Sequence, residues 1–220
     1  MKKKILIISG GISKERIISL DTGKQVAKEL RKHHHSVKIV EPNFQLLDTI
    51  KSFKPNIIFN ALHGRFGEDG YVQSIFENQK IRYTHSGVLS SATAMDKILS
   101  KEIFIKNNIL TPHFIKYDFK KISKNKKIKK IEKKLNFPVV IKPVSEGSSV
   151  DVFICAKKNF IKNLNKLVKY KEVVIEQYIG GREIQVAILG KKKLGAIELR
   201  PKRKFYDYKA KYSSKAKTKH

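Results

Sequence analysis

The spacing of apolar positions changes along this chain, and the change predicts two kinds of architecture. Ile5-Leu6-Ile7-Ile8 is an unbroken apolar run too short for a helix, as a strand covered on both faces should be. Gly10-Gly11 turns the chain, and Val26, Ala27 and Leu30 then share one face of a helix over Ser19–Lys32. Val37–Val40 predicts a second strand, Phe44–Phe53 a helix and Ile57–Asn60 a third strand. Val72, Ile75 and Phe76 mark a short helix, and Ile81–Tyr83 a further strand. This alternation implies a parallel sheet with ligand groups at the carboxyl ends of its strands, where the loops bearing Glu15 and His63 fall.

Past about Ser90 the pattern becomes a run of strands with helices interspersed. A helix over Ser90–Asn107 leads to a strand at Phe114–Tyr117 and a Lys-rich helix whose Ile128, Ile131 and Leu135 share a face. Val139–Lys142, Val152–Cys155, Val173–Gln177, Glu183–Leu189 and Leu194–Leu199 predict strands, with a helix at Phe160–Lys169. Helices on one face of such a sheet give an α+β region. The pattern divides the chain into domains 1–93 and 94–220.

Composition narrows the class. Over 220 residues, 40% apolar content with 6 Pro and 12 Gly is that of a globular chain. Cys155 is the single cysteine, so no intramolecular disulfide forms, and its apolar surroundings mark it as a buried structural thiol suited to a reducing cytoplasm. The apolar run after Met1-Lys2-Lys3-Lys4 is shorter than the about 7–15 residues of a signal peptide. No run approaches the ~20 apolar residues of a membrane span, so no membrane partner is expected. The net charge of +29 comes mostly from lysine spread along the whole chain. Two readings stand: the compositional bias of an AT-rich genome, or a basic module that binds nucleic acid. The dispersal of the lysines points away from specific nucleic-acid recognition. His33-His34-His35 reads as a solvated turn, since adjacent imidazoles diverge and no carboxylate cluster accompanies them.

Four polar stretches carry candidate chemistry. Glu146-Gly147-Ser148-Ser149-Val150 offers successive backbone N–H groups and two hydroxyls, a loop able to close over phosphates or simply a polar hairpin turn, with Lys142 just before it. Glu15 follows Gly10-Gly11 without a G-x-G-x-x-G pattern; a carboxylate there repels phosphate and suits an ammonium. His63 shares a sheet-top loop with Glu68 and Asp69 and suits a substrate carboxylate; a Ser-His-Asp hydrolase would need a G-x-S-x-G elbow that is absent. Tyr206, Tyr208 and Tyr212 alternate with Lys209 and Lys211, an interleave that also occurs in single-strand binders.

Taken in order, Gly10–Arg16, Ala61–Gly70, Met95-Asp96-Lys97, Ile141–Val150, Glu176–Glu183 and Phe205–Tyr212 resemble the D-alanine–D-alanine ligase family of ATP-grasp enzymes over essentially the whole chain. The resemblance implies an α/β chain, with an N-terminal Rossmann-like parallel-sheet domain followed by an incomplete ATP-grasp α+β domain. It implies ATP-dependent joining of two D-alanines through an acyl phosphate, for peptidoglycan synthesis, in a cytoplasmic homodimer. Another ATP-grasp carboxylate–amine ligase is the alternative within that chemistry. By resemblance, Glu15, Ser148 and Tyr212 form a hydrogen-bonded catalytic set, and Glu15 and His63 bind substrate. Lys97, Lys142, Ser148, Ser149 and Lys211 face the phosphates of ATP, Glu176, Gln177 and Ile179 line adenine, and Glu183 holds the ribose. The sequence departs from the family at Asp151, where glycine is expected, and at Lys209, where an acid is expected. The family's ligands for Mg²⁺ or Mn²⁺, and an Arg for the oxyanion, are expected beyond residue 220. A chain ending there is expected to be inactive by itself.

Overall fold

A computed structural model describes residues 2–120, 131, 133–202, 211, 218 and 219. It divides into two compact units, residues 1–100 and 101–220.

The first unit is built on a parallel sheet. Strands β1 (Lys4–Ile8), β2 (Ser36–Val40) and β3 (Ile57–Asn60) lie in the order β2-β1-β3. Ile8 aligns with Val40 on one side and Asn60 on the other, so the loops that follow β1 and β3 leave the sheet at the same end. Alternate residues of β1 point to opposite faces. Leu6 and Ile8 join Leu46, Ile50, Ile58, Val72 and Phe76 on one face, and Ile5 and Ile7 join Ala27 and Ala61 on the other. That two-sided cover is why β1 is apolar at every position from Ile5 to Ile8. The helices are α1 (Arg16–Lys32), α2 (Leu46–Phe53), α3 (Tyr71–Asn78) and α4 (Val88–Met95).

Two expected elements differ. Ile81–Tyr83 forms no strand; a single parallel bridge joins Tyr83 to Ile58. The helix expected over Ser90–Asn107 is two helices, α4 and α5 (Lys97–Lys106). The break is Asp96, whose backbone is extended (φ −84°, ψ 106°) and whose Oδ1 accepts the N–H groups of Ile98 and Leu99 at 2.8 and 3.0 Å. An aspartate in that position starts a new helix by satisfying its first orphan donors.

The second unit holds an antiparallel sheet, in the order β4-β7-β5-β6, made of β4 (Phe114–Asp118), β5 (Val139–Pro143), β6 (Phe153–Cys155) and β7 (Glu172–Gln177). One face packs Val139, Ile141, Val173 and Ile175 against Phe160 and Leu164 of helix α6 (Lys157–Asn165) and against Ile131 and Leu135. Ile128 and most of the Lys-rich stretch lie outside the described residues. The period-two alternation sends Lys142 and Glu176 to the other face. Strands β8 (Glu183–Leu189) and β9 (Lys192–Leu199) form a separate hairpin, and every residue of β8 is exposed. Cys155 is a free, buried thiol held above its ordinary pKa by burial, with Asn163 Nδ2 3.4 Å from its Sγ. His33–His35 form the expected turn, with His34 at φ 59°. No helix among the described residues is long and apolar enough to cross a membrane.

Candidate active site

In the first unit, two loops at the carboxyl end of the sheet converge. Glu15 is buried at the N-terminal end of α1, where its N–H donates to Ser13 Oγ (3.1 Å) and its carbonyl accepts the Ser19 N–H (2.9 Å). A Cβ placed on Gly64 would stand 3.5 Å from Glu15 Oε2, so the loop after β3 runs directly over that carboxylate. His63, adjacent to Gly64, has Nδ1 3.6 Å from Glu68 and Nε2 3.4 Å from Thr22 Oγ1. The Thr22 hydroxyl donates to Ile18 O at 2.9 Å and therefore accepts on its other side. Acceptors thus flank both ring nitrogens, an arrangement suited to the imidazolium. The Glu68 carboxylate accordingly raises the His63 pKa against the opposing effect of burial, and Glu15 adds to the rise. A cavity of about 360 Å³ opens beside His63, lined also by Thr22, Asn60, Gln73 and His85.

Glu68 and Asp69, neighbours on one loop, do different work. Asp69 accepts the N–H groups of Phe66 (2.9 Å) and Tyr71 (3.1 Å) and shapes the loop, whereas Glu68 faces His63. Glu41 was not foreseen. It leaves β2 and accepts two hydrogen bonds from Arg16, both 2.7 Å, and one from Gly11 N–H at 2.9 Å. The Arg16 guanidinium holds the Glu41 carboxyl below its ordinary pKa. This clamp fixes both ends of the loop that presents Glu15. An exposed acid one residue past a strand carries no sequence signal of such a role.

In the second unit, Lys142 and Glu176 meet. Cross-strand pairing sets Val140 opposite Glu176 and leaves Lys142 diagonal to it on the same face. The Lys142 ammonium hydrogen-bonds Glu176 Oε1. The other carboxylate oxygen lies 3.0 Å from Lys101 Nζ. Lys101 also donates to Thr111 Oγ1 (2.8 Å) and Pro112 O (3.0 Å) and lies 5.2 Å from the centre of the Phe114 ring. The Glu176 side chain is therefore committed to lysines, and any contact it makes with adenine falls to its backbone.

The turn after β5 holds Ser148 and Ser149 at φ 47° and 59°, a left-handed conformation that costs non-glycine residues energy. Asp151 is also left-handed, at φ 55°, which gives a physical reason for a glycine there and for the tolerance of aspartate. Its carboxylate accepts from Tyr170 Oη at 2.6 Å and pairs with Lys169 at 2.8 Å, so its charge is engaged by protein groups. Gln177 closes β7, its N–H bonded to His113 O at 2.9 Å, and Ile179 stands exposed in the following turn. Glu183 opens β8 and is exposed. Lys97 opens α5 half-buried, and Lys211 is half-buried. Tyr206, Tyr208, Lys209 and Tyr212 lie outside the described residues. Among the described residues, no three His, Cys, Asp or Glu side chains gather as a metal ion would require.

Residues 104–220 match the family model for the D-ala D-ala ligase C-terminus. A D-alanine–D-alanine ligase of Pelagibacter ubique is 66% identical over the whole chain, which spans 72% of that relative's length. A Wolbachia pipientis wMel relative of the same name is 40% identical over 95% of the chain, which spans 65% of that protein. The crystal structure of the Bacillus anthracis D-alanine–D-alanine ligase superposes with a TM-score of 0.81 at 36% identity, covering 99% of this chain and 69% of that one. The same enzyme complexed with ATP superposes at 0.77 and 34% identity, covering 90% and 66%. The chain therefore belongs to the D-alanine–D-alanine ligase family.

Proposed function

We propose that this protein takes part in ATP-dependent joining of two D-alanines to D-alanyl-D-alanine for peptidoglycan synthesis, in the cytoplasm and as a homodimer. The observation that carries the reading is the separation of charges by unit: a buried carboxylate beside an imidazolium-prone histidine in one, and an accessible lysine on the strand that leads into a phosphate-type turn in the other.

In the first unit, Glu15 accepts the ammonium of an amino acid, and the protonated His63 attracts its carboxylate. Neither contact of His63 is shorter than 3.4 Å, so the ring can exchange a long contact for a substrate oxygen. In the second unit, Gln177 and Ile179, with the backbone of Glu176, border adenine, and Glu183 accepts the ribose hydroxyls. Lys142, with Lys211, balances phosphate charge, and Ser148 and Ser149 offer the turn's hydroxyls and N–H groups. ATP fits the residues present, since the Lys142 ammonium has Glu176 as its one partner among the described residues and keeps donors for a phosphate. A divalent ion finds no ligand set among the described residues, so no step is assigned to one.

The chemistry balances without further reactants. A carboxylate oxygen of the first D-alanine attacks the γ-phosphorus, the bond to the bridging oxygen breaks and ADP leaves. The neutral amine of the second D-alanine attacks the acyl carbon, phosphate departs with the bonding electrons, and the new amide nitrogen gives up a proton. Positioning carries both steps, and charge neutralisation serves the first, where carboxylate and phosphate are both anionic.

Ligand-detected NMR on the chain with ATP, D-alanine and L-alanine tests the reading. ATP and D-alanine should bind, L-alanine should bind more weakly, and Glu15→Gln should remove D-alanine while leaving ATP. Equal binding of the two alanine enantiomers, or D-alanine binding that survives Glu15→Gln, would overturn it.

A further inference from the structure

We infer that Lys101 is a positioning residue for nucleotide capture: by neutralising Glu176 from behind, it leaves the positive charge of Lys142 available to the phosphates of ATP. The inference rests on the nucleotide-binding reading above and adds a residue to it.

An ammonium has three protons to donate. Lys101 donates to Thr111 Oγ1 at 2.8 Å and to Pro112 O at 3.0 Å, and its Nζ forms an ion pair with Glu176 Oε2 at 3.0 Å without hydrogen-bond alignment. Its side chain is only 7% exposed, and Phe114 covers it. Lys101 therefore lacks the access to touch a ligand. Burial lowers the Lys101 pKa, and the Glu176 carboxylate opposes that shift.

Glu176 is as buried as Lys101, at 8% exposure, and divides its two oxygens between Lys101 and Lys142. Lys142 is the accessible member, at 22%. Two ammonium groups and one carboxylate leave one positive charge, and it resides at the accessible end. Without Lys101 the cluster becomes a neutral Lys142–Glu176 pair. An anion reaching Lys142 would then face the Glu176 carboxylate close behind it, in a setting where water screens poorly.

The pairing also links three strands and a helix. Phe114 of β4 is the cross-strand partner of Glu176, and Lys101 reaches both from α5. A merely structural role would follow from that linkage alone. The test must therefore separate charge from packing.

The readout is the ratio of ATP to adenosine affinity, measured by ³¹P and ¹H ligand NMR on the 220-residue chain, with urea unfolding of each variant alongside. Lys101→Met keeps much of the side-chain volume and removes the charge. It should lower the ratio by about tenfold or more, the scale of one lost charge contact near ~1.4 kcal/mol. Adding Glu176→Gln to Lys101→Met removes the uncompensated carboxylate and should restore the ratio. Glu176→Gln alone should raise it, and this variant decides the matter if Lys101→Met does not fold. A parallel loss of both ligands in Lys101→Met, failure of the double variant to recover, or a lower ratio in Glu176→Gln would each overturn the inference. A wild-type chain that binds ATP no better than adenosine would instead overturn the nucleotide reading on which it rests.

Discussion

Replacing Gly67 by alanine should unfold the substrate end of the first unit more readily than its single added methyl suggests. The new Cβ would lie 2.3 Å from Leu62 Cβ and 2.9 Å from the Leu62 carbonyl carbon. Backbone cannot swing aside as a side-chain tip can, so the loop must move, and overpacking of this kind costs roughly 1–3 kcal/mol. The Gly67 carbonyl also accepts two buried hydrogen bonds of 2.7 Å, from Asn60 Nδ2 and Gln73 Nε2. Each contributes about 0.5–1.5 kcal/mol and costs more if its donor is left dry. The expected loss is therefore about 2–6 kcal/mol. Gly180→Ala is the control, because its Cβ would meet nothing closer than 3.9 Å and its φ is not left-handed. Urea unfolding followed by far-ultraviolet circular dichroism reads both. A change below about 0.5 kcal/mol in Gly67→Ala, the ordinary range of surface substitutions, would refute the packing argument. The loop also carries His63 and Glu68, so the variant should bind D-alanine less well even where it remains folded.

His63 should titrate above its unfolded value by ¹H NMR, and Glu68→Gln should bring it down. Its contribution to stability is present at pH below the unfolded pKa and is lost as pH rises through the folded one. Glu41→Ala should free the Gly10–Glu15 loop and weaken D-alanine binding by up to about 100-fold, while ATP binding is unchanged; isothermal titration of the two ligands separates these outcomes. Cys155 should resist a thiol reagent in the native chain and react as urea unfolds it, since burial both hides the sulfur and raises its pKa.

How much of this was legible in the sequence depends on the kind of signal each residue leaves. The β1 run from Ile5 to Ile8 declared its own strand, because a strand covered on both faces must be apolar at every position. The break at Asp96 is marked by no glycine or proline in the sequence, and the aspartate acts through two backbone N–H groups rather than through hydropathy. Ile81–Tyr83 looked like a strand by its residues, yet pairs with β3 at one bridge only, which local pattern cannot reveal.

The same division runs through the site. Glu15, His63 and the serines could be named because they sit in short, polar, glycine-flanked segments between apolar elements, and Lys142 because it lies at the end of an apolar strand just before one of them. Glu41 and Lys101 could not, since their meaning lies in partners far along the chain, Arg16 for one and Glu176 for the other. Lysine spacing in a chain with 48 Lys and Arg residues says nothing about which ammonium is dry. Burial decides it: Lys101 is enclosed, while Lys142 keeps donors toward solvent. Two lysines of the same type, both bound to one carboxylate, thus have different work. The enclosed one holds the carboxylate, and the accessible one is left to meet a phosphate.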